Sequence, residues 1–174
     1  MAAWHGSRVI AREDFTDDEW FQLRSAPWGA AMGVIEVDPS GTFTAGREIE
    51  AVEAELAASQ FDEGLVGVVT RDLLDMDAVG GEDKPSAGPT AATADSMAQE
   101  GFPEYVLGTM ADLNAVLDAK VEPAEAAAFR AWLVRLAGAA AEAGREGLAG
   151  LTGPKVSDTE ATYLDRLRAA LGVD

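Results

Sequence analysis

The sequence predicts an all-α bundle of about six or seven helices, built as a single domain over residues 1–174. Apolar side chains recur at three- and four-residue intervals, and two Ser/Thr-x-x-Glu tetrads lead into such runs. Alternation of period two is nowhere sustained, so nothing asks for a sheet. With 174 residues, 48% of them hydrophobic, one core can form without cross-links, and no cysteine is present to supply any.

Residues 1–14 read as an N-terminal tail without the apolar run of a signal peptide. Thr16 and Glu19 then form a capping box, with Phe15 and Trp20 placed to close over it, and Asp17 and Asp18 suit the positive end of the helix dipole. This first helix should stop before Pro27, because a residue preceding proline avoids the helical region. Pro27 would open a second helix to Val37, with Trp28, Ala31, Met32 and Ile35 on one side and Gly29, Ala30, Gly33 and Val37 opposite. Apolar on nearly every side, it reads as the central helix; a buried strand over residues 33–37 is the alternative.

Asp38-Pro39-Ser40-Gly41 is a turn. A helix from about Thr44 to Ser59 follows, burying Ala45, Ile49, Val52 and Leu56, with Glu48, Glu53 and Glu55 flanking that stripe and Glu50 outward. Glu63 to Met76 carries Leu65, Val69, Leu73 and Met76 in helical register, although residues 65–70 also suit a strand. Residues 77–95 lose all periodicity and read as a long loop. Pro103 opens a helix with Val106, Met110, Leu113 and Leu117 on one face. Glu122-Pro123 opens the next, bearing Phe129, Trp132, Leu133, Leu136 and Ala140. After a glycine-rich connector at residues 144–153, Ser157 and Glu160 repeat the capping box ahead of Tyr163, Leu164, Leu167 and Leu171, and Gly172 closes the helix. Trp20, Trp28 and Trp132 all fall on inward faces.

Thirty-one acids against 13 bases give a formal charge of −18. Such a chain repels a phosphate backbone and an anionic bilayer surface, so neither nucleic acid nor membrane is expected as a partner. No run of 18 apolar residues is present to span a bilayer. A cytoplasmic location is expected, and the acid-rich, lysine-poor composition also suits solubility at high salt.

Candidate chemistry is sparse. His5 stands alone and, without cysteine, makes no zinc site. Asp72, Asp75, Asp77, Glu82 and Asp83 surround Gly80-Gly81, but a calcium loop would need a glutamate where Ser86 stands. The run from Gly144 to Lys155 matches no phosphate-binding loop, since Pro154 interrupts the Gly-Lys pair. Glu36, among apolar neighbours and beside Asp38, is the oddest acid. Turned inward the two would suit acid–base or cation chemistry; turned outward, Glu36 is solvated or paired with Arg47.

The segment Ser157-Asp-Thr-Glu160 through Leu171-Gly172 resembles the closing helix of tellurite-resistance TerB-like domains, which are small acidic all-helical proteins. The apolar helix ending at Asp38, the turn at Gly41 and the helix bearing Glu48 are similar to the acidic turn of that family, although Pro39 and Ser40 separate Asp38 from its glycine. The resemblance covers about a third of the chain. It implies a stress-associated binding module rather than an enzyme. The expectation drawn from residues and resemblance is a helical module acting through a protein partner or self-association. Its alternative is a site for calcium or magnesium formed by Glu36, Asp38 and Glu48, or by the loop from Asp72 to Asp83.

Overall fold

In the computed structural model, which describes residues 10–38, 42–78, 101–146 and 156–173, six helices pack around one apolar core, and no strand occurs among the described residues. They are α1 (Asp17–Val37), α2 (Thr42–Ser59), α3 (Gly64–Ala78), α4 (Phe102–Lys120), α5 (Pro123–Glu146) and α6 (Asp158–Leu171). Two of them, α1 and α5, each touch all the others and form the axis of the bundle.

The N-terminal boundary of the fold lies earlier than the sequence suggested. Ile10 is buried and Arg12–Asp14 form a single 3₁₀ turn, so only residues before 10 lie outside the described part of the predicted tail. Phe15 and Trp20 meet with ring centroids 5.8 Å apart, Arg12 lies over Trp20, and Lys120 lies over Phe15. Lys120 also donates to the Glu19 carboxylate at 2.5 Å and the Asp14 carbonyl at 3.3 Å, tying this corner to the end of α4. The capping box is reciprocal: Thr16 N–H donates to Glu19 Oε2 at 2.7 Å, and Glu19 N–H donates to Thr16 Oγ1 at 3.3 Å.

The expected break at Pro27 is absent. Residues 17–37 form one helix with Pro27 inside it. Proline removes a rung of the ladder and crowds the preceding turn, at a cost of about 3 kcal/mol. Trp20, Leu23, Val34 and Ile35, from both halves, are buried in a single register. Each such side chain contributes about 1.5–3 kcal/mol on burial, so together they outweigh the proline. The central role assigned to residues 28–37 therefore belongs to the whole of α1, shared with α5. The strand alternatives at 33–37 and 65–70 are both helix.

Predicted inward faces are buried in α4, α5 and α6, and Trp132 and Phe129 are the largest fully buried side chains among the described residues. Trp20 is likewise buried, whereas Trp28 is half-buried against the core. The C-terminal helix starts on its own capping box, with Ser157 N–H donating to Glu160 Oε2 at 2.7 Å. It ends at Gly172, in the left-handed region at φ 66°. Asn114 of α4 donates to the Ala170 carbonyl at 2.6 Å and accepts from Arg130 Nε of α5 at 2.7 Å, which locks three helices together. Helix α3 reaches Ala78 and α5 reaches Glu146, so residues 77–78 and 144–146, read as loop, are helical; 79–95 and 147–153 lie outside the described residues. No described helix is long and apolar enough to cross a membrane.

Candidate functional site

Several polar side chains inside the bundle join helices. Helices α2 and α5 lie antiparallel. Trp132 Nε1 donates to Ser59 Oγ at 3.0 Å, Arg135 pairs with Glu55 one turn on, and Glu48 lies against Gly144 near the far end. Glu48 is only 3% exposed. Its carboxylate occupies the space that a side chain at position 144 would fill, so glycine there is what admits the acid. Asp72 accepts from Trp20 Nε1 at 3.2 Å and lies 3.9 Å from the Arg24 guanidinium, so this acid of the predicted cation loop joins α3 to α1.

A second carboxylate links two helix starts. Glu125, in the first turn of α5, accepts the Leu65 N–H at 2.5 Å and so caps α3. Gly64 enters α3 at φ +70°, a conformation that L side chains rarely adopt, and any side chain there would run into Glu125. Helix α5 has its own cap, because Glu122 Oε2 accepts from the N–H groups of Ala124 at 3.1 Å and Glu125 at 3.3 Å.

The three acids predicted as a cation site are placed unlike one another. Glu36 is exposed, as in the outward reading of that residue; Asp38 is half-exposed and Glu48 is buried. Among the described residues no group of three or more His, Cys, Asp or Glu side chains is placed to hold a metal ion. The turn residues 39–41, His5, Glu82, Asp83 and the stretch 147–155 lie outside the described residues.

A shallow cleft of about 330 Å³ lies between the end of α1 and the start of α6, lined by Val37, Asp158, Thr159, Thr162, Tyr163 and Arg166. Its cation is engaged: Arg166 grips both oxygens of Glu104 at 2.5 and 2.6 Å. The Tyr163 hydroxyl has no hydrogen-bond partner among the described residues and rests on Gly33. Burial pushes this phenol above its ordinary titration range, with a smaller opposing effect of Arg166. A phenol that resists ionisation is a poor base.

The outer face of α2 carries a line of exposed apolar side chains that ends in an aromatic ring; α5 has the same spacing in exposed Ala124, Ala127, Ala128 and Ala131, without the ring. Ala54, Ala57 and Ala58 are all exposed, and Phe61, just past the helix end, is 83% exposed. Their spacing, i, i+3, i+4 and i+7, continues one line along the helix and into the turn before α3. The line runs opposite the buried Val52–Leu56 stripe. Sequence reading passed it over, although the same periodicity marks it as a second apolar stripe on one helix. Phe21, 42% exposed on α1, is the other large apolar side chain open to solvent among the described residues. The chain matches no family model, no curated protein and no solved structure.

Proposed function

We propose that the chain is a non-catalytic interaction module that receives a protein partner on the outer face of α2 and the Phe61 turn. The observation that carries this reading is Phe61, an aromatic ring left 83% in water at the end of an apolar stripe. Burying a phenylalanine is worth about 1.5–3 kcal/mol, so a partner that covers it gains a substantial anchor. Further support comes from how the acids are used. Glu48, Glu55, Asp72, Glu125 and Glu160 serve helix junctions and caps, which fits a scaffold that presents a surface better than one that works on a substrate.

A photo-crosslinking amino acid at position 61, used in cells that express the full chain, tests the reading. Discrete adducts to one or a few proteins are expected, with far fewer from the same group at Glu142, which is also exposed. Equal labelling from both positions would refute it. So would turnover of a common substrate class that disappears when a single acid is replaced.

A further inference from the structure

Resting on the reading of the chain as an interaction module, we infer that the occupant of the α2 face is a basic amphipathic segment of another protein. Two features of the face select it.

The first is size. Three alanines and one phenylalanine offer far less than the roughly 800 Å² per partner that a stable dimer buries, so the face suits a short segment. From Ala54 to Phe61 the stripe runs roughly 10 Å along the helix axis, about two turns, the length over which a partner helix presents one apolar strip.

The second is charge. Glu50 stands one turn before Ala54 on the same line, Glu53 lies beside the stripe, and Asp62 and Glu63 follow Phe61; all four are exposed. Arg47, Arg71 and Arg135 are the bases nearby; Arg71 already donates to the Gln60 carbonyl at 2.8 Å, and Arg135 is paired with Glu55. With a whole-chain charge of −18, a second copy would bring like charge against like around Phe61, whereas a basic segment meets its complement. Lysine or arginine flanking an apolar strip therefore matches the face in both respects.

The test uses three labelled synthetic peptides of roughly sixteen residues titrated into the full chain by fluorescence anisotropy. One is a Leu/Lys amphipathic helix, one has the same composition scrambled to abolish the apolar strip, and one is the Leu/Glu counterpart. Expected is saturable binding of the Leu/Lys helix, weakened about tenfold by scrambling and about tenfold by Phe61→Ser or Ala57→Glu in the protein. Raising salt from roughly 50 to 300 mM should weaken it further, because the charges lie in solvent. Equal binding of the scrambled peptide, equal binding to Phe61→Ser, binding of the Leu/Glu helix, or no binding of any peptide overturns the inference. Adducts at position 61 alongside peptide failure would leave the interaction module standing and remove only its basic partner.

Discussion

Replacing Glu125 by alanine should destabilise two helices at once. The Leu65 N–H donates to this carboxylate at 2.5 Å, and the same acid lies in the first turn of α5. Losing a helix cap costs about 1 kcal/mol. Losing the favourable charge at two helix N-termini adds about 0.3–1 kcal/mol for each. The expected total is about 2 kcal/mol, which for a chain of this size lowers the melting temperature by roughly 4–8 °C. Circular dichroism at 222 nm reads the melt, and hydrogen exchange at the Leu65 amide reads the cap itself. Gly64→Ala provides the internal control. Its positive φ costs about 1–2 kcal/mol in any background, and its new methyl collides with Glu125 only while Glu125 is present. The double variant Gly64→Ala/Glu125→Ala should therefore lose less than the two singles added together. Unchanged Leu65 exchange in Glu125→Ala, or strict additivity in the double variant, refutes the shared-cap geometry.

Ser59→Ala should cost about 1–2 kcal/mol in urea denaturation, since it strands the buried Trp132 indole N–H. Tyr163→Phe removes a hydroxyl with no partner among the described residues and should leave stability unchanged or raise it by up to about 1 kcal/mol; a clear loss in the melt would disprove the packing described. Phe61→Ser should unfold within about 0.5 kcal/mol of the parent in the same assay, because an exposed ring holds nothing together. The Lys120 ammonium holds Glu19 below its ordinary 4.5, and the Arg166 guanidinium does the same for Glu104. A carboxyl whose folded pKa is depressed stabilises the fold above its unfolded value and loses that contribution as pH falls through the folded one. The advantage of the parent over Glu19→Gln/Glu104→Gln should thus persist at neutral pH and fade below about pH 4.5, as followed by thermal melts across that interval.

Local chemistry was legible and distant pairing was not. Thr16 with Glu19, and Ser157 with Glu160, lie three residues apart, so spacing alone located both helix starts. The faces of α4, α5 and α6 followed from one periodicity each. Pro27 misled because the rule for proline is local, whereas the burial that carries α1 through it is summed over the whole bundle. Glu48 was placed on a flank, and its burial depends on a glycine at position 144, far along the chain. The contacts of Ser59 with Trp132, Asp72 with Trp20 and Leu65 with Glu125 are likewise set by how the helices meet. For the proposed docking face the information was present in the spacing of Ala54, Ala57, Ala58 and Phe61. A search for one buried stripe per helix overlooks a second.

The antiparallel seam between α2 and α5 has a mechanical consequence. With Ser59 held to Trp132, Arg135 held to Glu55 and Glu48 seated on Gly144, α2 is stopped from rolling about its own axis at three heights. Two residues before the ring at position 61, the chain is thus pinned to a fully enclosed indole on the axial helix. Whatever leans on that edge meets a stiff rail, and little of its grip is spent on setting the surface in order.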